Sequence, residues 1–155
     1  MRRTDREIKR FDQMLEILNS CDCCRIGCWD GKNVYIVPLN FGYEVNNETL
    51  ILYFHSAKEG RKIDLIKQHQ TIGFEMDTRH ELVEGTTACG FSYRYQSIIG
   101  TGAVSMITDR TEKIHGLTQI MSHYSPKQHW NFSEQMIDLA AVMKVEVTEW
   151  SCKQH

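Results

Sequence analysis

Between Tyr53 and Asp64 the chain reads Tyr-Phe-His-Ser-Ala-Lys-Glu-Gly-Arg-Lys-Ile-Asp, a run that sets small residues and cations where an anion could lodge. Leu50 to Phe54 are apolar and partly aromatic, as in a buried strand. Ser56, Ala57 and Gly60 make a small-residue turn, and Ile63, Leu65 and Ile66 then recur at helical spacing. The predicted join is strand, turn, helix. A helix start exposes unpaired N–H groups at the positive end of its dipole, which suits an anion. Arg61 and Lys62 fall in that first turn, where the same electrostatics disfavours cations; a bound organic phosphate would reverse the sign of that cost. A solvated basic pair at an ordinary turn fits the same residues, and both readings stand at this point.

A second informative run is Val37-Pro38-Leu39-Asn40-Phe41, because a proline interrupts an apolar strand. Proline cannot donate to a ladder, so it marks an edge or a bulge. Free backbone groups at such an edge could meet a flat heteroaromatic ring with alternating donors and acceptors. A bulge that only blunts edge pairing is the other reading. The six cysteines, Cys21, Cys23, Cys24, Cys28, Cys89 and Cys152, lack two matched Cys-x-x-Cys pairs. Cys24, Ile26 and Cys28 alternate as on a strand, where thiols act as small apolar residues. Reduced thiols and no metal centre are expected, with a metal centre built on Cys21, Cys23, Cys24 and Cys28 as the other reading.

These groups need a scaffold, and the composition is that of an ordinary globular protein: 155 residues, 41% hydrophobic and 25% charged. A net charge of −2 and a pI near 6.4 leave no electrostatic case for nucleic acid or an anionic membrane. The N-terminal run lacks the apolar core of a signal peptide, and no stretch approaches a membrane span, so the expected location is the cytoplasm.

Thr4 with Glu7 reads as a capping box ahead of Ile8, Phe11, Leu15 and Leu18, predicting a helix over about 4–19. Cys24 to Trp29 reads as a strand, Asp30-Gly31 as a hairpin turn, and Val34 to Tyr43 as a partner strand apolar on both faces and hence buried on both. Asn46-Asn47 marks a tight turn before the strand at Leu50. A strand over Thr71 to Met76, a polar loop over Thr78 to Cys89 and a long strand over Tyr93 to Ile107 follow. Gly100 and Gly102 imply a bulge or a tight bend in the last of these. Asp109 with Glu112 caps a second helix carrying Ile114, Leu117, Ile120 and Met121. Tyr124 to Phe132 reads as an aromatic loop, and Ala141, Met143, Val145 and Val147 alternate in a final strand. The prediction is mostly β with flanking helices (α+β): about six strands, three helices, and a small antiparallel barrel over about 23–148, all in one domain of residues 1–155.

Four blocks in order carry a resemblance. They are Met1-Arg-Arg-x-Asp-Arg-Glu7, Ile36-Val-Pro-Leu-Asn-Phe-Gly-Tyr43, Tyr53-Phe-His-Ser-Ala-x-x-Gly-x-Lys62 and Tyr95-x-Ser-Ile-x-Gly100. Together they resemble the pyridoxamine 5′-phosphate oxidase-like superfamily and, within it, the Nim-type nitroimidazole reductase branch. The resemblance implies a six-stranded split β-barrel of the FMN-binding type, with FMN at the interface of a homodimer. Ser56, Ala57, Gly60 and Lys62 would then hold the phosphate, and Pro38, Leu39, Asn40 and Phe41 would run beside the flavin ring. His55 matches a histidine near the flavin, where it is the candidate catalytic residue. Tyr95 and Ser97 match contacts from the partner subunit, and Trp130 matches by aromatic character alone. The C-terminal Trp and Arg block of true pyridoxamine 5′-phosphate oxidases has no counterpart, so the resemblance argues against pyridoxal phosphate synthesis.

The expected activity is reduction of a small electron-poor acceptor such as a nitroimidazole or another nitroaromatic, with NAD(P)H as donor. No Rossmann glycine fingerprint is present, so the nicotinamide would visit and not reside. His55 could donate a proton or hydrogen-bond the flavin. The alternatives are a flavin- or haem-binding protein of the same fold with little turnover, with His55, His69 or His123 as axial ligand, or pyridoxamine 5′-phosphate oxidase-like activity. One small barrel has little concave volume for a flavin, which again favours a site between subunits.

Overall fold

A computed structural model describes residues 3–155; Met1 and Arg2, the start of the N-terminal block, lie outside the described residues. The strands are β1 (Glu7–Ile8), β2 (Cys24–Trp29), β3 (Val34–Leu39), β4 (Phe41–Asn46), β5 (Thr49–Ala57), β6 (Thr71–Val83), β7 (Ser92–Ile107) and β8 (Ala140–Gln154). The helices are α1 (Phe11–Ser20), α2 (Arg61–Gln68), α3 (Arg110–Tyr124) and α4 (Glu134–Leu139). Eight antiparallel strands form one sheet in the order β3-β2-β6-β7-β8-β5-β4, with β1 added to β8. β3 and β4 stand at opposite margins yet follow each other through the single residue Asn40. The sheet therefore curls toward a barrel that does not close. No described helix is long and apolar enough to cross a membrane.

Most of the predicted framework forms. Asp30 organises the β2–β3 loop by accepting at Oδ1 from the Lys32 and Asn33 amides, at 2.9 and 2.6 Å. Asn47 and Glu48 take φ of 49° and 68°, the left-handed pair that a two-residue hairpin requires. The β7–β8 register shifts between Thr101 and Gly102, beside the glycines, but the extra residue is Thr148 of β8 and not a residue of β7. Asp109 caps α3 by accepting from the Glu112 amide at 2.9 Å.

Five expectations are corrected. The first helix begins at Phe11, not Thr4, because Glu7 and Ile8 are taken as β1 by Lys153 and Cys152 of β8. Those β8 residues lie beyond the end of β5, so that edge of β8 is open to them. Val34 to Tyr43 is two strands and not one; β3 is a margin strand whose Val34 and Ile36 are 60% and 63% exposed, so only its other face is covered. β6 runs on to Val83 through the first half of the predicted loop, since its polar residues pair with β7 while facing solvent. Residues 134–139, which carry no strong period, form α4 under a Ser133 cap. The last strand extends to Gln154, past the predicted barrel limit, because β7 pairs with it as far as Gln96.

Two apolar clusters hold these elements. The larger fills the concave side of the sheet, where Met14, Ile17 and Leu18 of α1 and Ile63, Leu65 and Ile66 of α2 meet residues such as Ile26, Phe41, Phe54, Met76 and Met143. Cys21, Cys24, Cys28 and Cys152 belong to this core as free thiols. The smaller cluster joins Leu117 and Ile120 of α3 to Ile51, Tyr53 and Val142 on the convex side. There α3 crosses Gly42 so closely that a Cβ would overlap the backbone of Gln119 and Ile120.

Candidate functional site

Strand β5 does not stop at Phe54. His55, Ser56 and Ala57 continue it, paired with Val142, Ala141 and Ala140 of β8. The turn is therefore Lys58-Glu59-Gly60. Gly60 takes φ 125°, where a side chain would be strained, and stands as N-cap of α2. Its carbonyl accepts from the amides of Ile63 and Asp64 at 2.9 and 3.2 Å. No side chain caps α2, so its first amides keep their donors for something else.

The two cations of that turn differ. The Arg61 guanidinium pairs with Asp30 at 2.6 Å and lies 4.8 Å over the Tyr35 ring, which turns it toward the β2–β3 hairpin. Lys62 is half-buried; burial pushes its pKa down, Cys28 opposes this, and among the described residues no carboxylate acts on it. A partly desolvated ammonium beside uncapped helix amides is short of an anion. His55 sits nearby, and its pKa is lowered by burial of the ring's surroundings and then by the Lys62 charge. Ser56 donates its hydroxyl to the Ala57 carbonyl at 2.8 Å.

Pro38 lies on margin strand β3 opposite Arg25, where a missing donor costs no ladder bond. Leu39 is half-buried and Asn40 exposed at the crossing between margins. Phe41 pairs with Phe54, so the same register extended by one residue sets Asn40 beside His55. The Pro38–Phe41 corner and the phosphate-type turn therefore border one region. Phe41 itself is spoken for: its ring is buried against His123 at 4.3 Å, and its N–H donates to the Tyr124 hydroxyl at 3.1 Å. Tyr124 in turn donates to the Asp22 carbonyl at 2.8 Å. Sequence reasoning did not single out Tyr124, whose partners lie 83 and 102 residues away.

From Tyr124 the segment 125–133 runs to α4 and the start of β8 beside Ala57, joining the two halves of the region. Trp130 lies in it, with Lys127 Nζ 5.6 Å over its ring and its indole Nε1 buried without a partner. A buried donor left unpaired costs about 1–3 kcal/mol. An acceptor atom of a bound group would remove that cost. The anion-short turn and this orphaned donor both fit a phosphorylated heteroaromatic cofactor such as FMN.

Tyr95 and Ser97 are elsewhere. They line a cavity of about 470 Å³ on the convex face of β6, β7 and β8, together with Glu75, Asp77, Tyr93 and Lys153. None of His55, Ser56, Ala57, Gly60, Lys62 or Trp130 lines it. Arg25 reaches its acidic floor, contacting Glu75 at 2.9 Å and Asp77 at 2.6 Å. His80 also lines this cavity, although the polar run around it predicts a loop and gives no sign of this role. The alternation of Glu81, Leu82 and Val83 with Ser92 and Tyr93 across a turn was the available signal. Among the described residues no group of three or more His, Cys, Asp or Glu side chains is arranged to hold a metal ion.

Comparison with known proteins gives the family and the fold. The family model described as pyridoxamine 5′-phosphate oxidase matches residues 11–154. A candidate 5-nitroimidazole antibiotic resistance protein from Bacteroides thetaiotaomicron is similar in structure, with a TM-score of 0.82 and 34% identity over 96% of this chain and 86% of that one. The flavocytochrome Anf3 from Azotobacter vinelandii gives 0.83 at 21% identity, over 100% and 72% of the two chains. A FAD- and heme-binding protein from Mycobacterium smegmatis gives 0.81 at 13%, over 96% and 72%. At those lower identities the last two show the shared fold alone. No curated protein matches in sequence.

Proposed function

This chain belongs to the pyridoxamine 5′-phosphate oxidase family, with the split-barrel fold of that family, and on that premise we propose that it is an FMN-dependent oxidoreductase. Its acceptor is a small electron-poor molecule of the nitroimidazole or nitroaromatic type, and reduced nicotinamide is the donor. The Lys62 ammonium, partly buried and without a carboxylate, is the observation that carries the reading. It would hold the phosphate together with the first amides of α2, while Ser56 and Gly60 leave the approach uncrowded. Trp130 Nε1–H would donate to the cofactor from the segment above, and Pro38, Leu39 and Asn40 would border the ring. The flavin, when bound, supplies the hydride chemistry.

His55 would handle a proton. Its lowered pKa keeps the imidazole neutral at neutral pH, able to accept or donate a hydrogen bond beside the ring. A homodimer completes the site in this reading, bringing the partner's face with Tyr95 and Ser97 over the region. The absorption spectrum of the purified protein tests the proposal. It predicts a flavin spectrum that bleaches when NADH or NADPH is added and returns on addition of a nitroimidazole. A Soret band in its place would assign the fold to haem, and a flavin that no nicotinamide bleaches would make this a binding protein.

A further inference from the structure

The cavity on the convex face carries a histidine that nothing above uses. Between Thr78, paired with Gln96, and Glu81, paired with Arg94, strand β6 holds two residues against the single Tyr95 of β7. Arg79, one of the two, has φ 55°, a left-handed conformation that costs a side-chain-bearing residue energy. Contacts from α1 hold the bulge in place: Thr78 Oγ1 donates to the Ser20 carbonyl at 2.8 Å, and Arg79 donates to Ser20 Oγ at 3.1 Å. In unbroken alternation His80 would face away from Asp77. The extra residue returns it to the same face, as bulges beside functional sites do.

There His80 Nε2 meets Asp77 Oδ2 at 2.8 Å, and the imidazole stacks on Tyr93 at 5.8 Å with 24° between planes. Asp77 stays ionised: burial would raise its pKa, but Arg25 and His80 outweigh that and hold it below its ordinary value. An ionised carboxylate only accepts, so the proton of a neutral His80 sits on Nε2 and Nδ1 presents a lone pair. The walls suit a ring. Tyr93 and Tyr95 are two positions apart on one face, about 6.8 Å along the strand, and both line the cavity, His80 stacking on the first and Lys153 Nζ lying 5.1 Å over the second. Tyr95 is backed by His155, stacked at 5.7 Å and 8°. Arg25 and Lys153 balance Glu75 and Asp77, which favours a neutral ligand over an ion.

We propose that this cavity takes one flat, neutral nitrogen heteroaromatic ring bearing an N–H edge, and that His80 Nδ1, oriented by Asp77, is the acceptor that reads that edge. The proposal rests on the functional reading above for the ring's identity as the reducible acceptor. His80 would make the site prefer a free N–H over the same ring alkylated at nitrogen.

The probes are 4-nitroimidazole and 1-methyl-4-nitroimidazole, titrated into the full-length protein as purified, on the alkaline side of neutrality. Equilibrium binding should favour the N–H compound by about tenfold, the worth of one hydrogen bond. His80→Phe keeps the stack on Tyr93 and removes the acceptor, so the preference should fall to near unity. Nitrogen NMR of the wild type gives a readout that needs no variant: His80 Nδ1 should shift with the N–H probe and not with its methylated form. A preference that survives in His80→Phe, an absent preference in wild type, or an unmoved Nδ1 resonance would each overturn the proposal. Protein that shows the preference but binds no flavin would instead sink the redox reading and leave His80 in its role.

Discussion

The proposed phosphate site at Lys62 would need little chemistry: one half-buried ammonium, amides without acceptors, and a glycine at the turn. Replacing it with alanine should weaken FMN about ten- to hundredfold, the range of a charge-assisted hydrogen bond, and leave riboflavin binding nearly unchanged. Titration with both ligands measures this, and equal losses would deny Lys62 a phosphate. His55→Ala should keep the flavin and slow nitro reduction; unchanged turnover would remove His55 from the proton path. The thiols make a contrasting case. Burial pushes Cys24 well above the usual thiol range and Cys21 and Cys152 up to about 12. Iodoacetamide should therefore label exposed Cys89 in the native protein and reach Cys24 and Cys152 only in denaturant. Mass spectrometry of the alkylated protein would show which sites react.

At the scale of elements, α3 depends on the absence of a side chain at Gly42. Gly42→Ala should displace the helix and destabilise the protein by about 1–3 kcal/mol in chemical denaturation. The end of α3 is pH-sensitive for another reason. His123 Nε2 bonds the Cys21 carbonyl at 2.7 Å while Nδ1 is buried without a partner. Burial lowers its pKa, and the Cys21 carbonyl and Asp22 only partly oppose that. The unfolded chain thus binds this proton more readily, so stability is full above the ordinary histidine value of about 6.5 and falls as pH drops below it. Denaturation midpoints of wild type should decline from about pH 7 to about pH 5, and less steeply in His123→Gln. Local signals were legible where the deciding partner is close in sequence, as with Asp109 and Glu112 or the glycines of β7. They failed where it is distant. Thr4 and Glu7 satisfy a capping pattern, yet the open edge of β8 nearly 150 residues on claims Glu7 and Ile8. The cation and turn of the candidate site were readable from one short run, whereas Tyr124 and the bulge that aims His80 depend on pairings no local pattern encodes.

For the whole molecule, the exposed convex face is the surface the proposed homodimer would cover. Val34 and Ile36 of β3 lie around Gly27 and Gly73, where no side chain stands in the way, and Ile99 of β7 is 55% exposed. Ile36→Glu should place an unpaired charge there, shift sedimentation from dimer to monomer and lower the flavin content. A variant that stays dimeric would move the interface elsewhere. The last strand has a consequence of its own. β8 is paired along most of its length with β7, with β5 over its first half and with β1 near its end. During synthesis, then, the facing edges of β5 and β7 stay unpaired until β8 has left the ribosome, and nascent chains should remain protease-sensitive and chaperone-bound until that strand emerges.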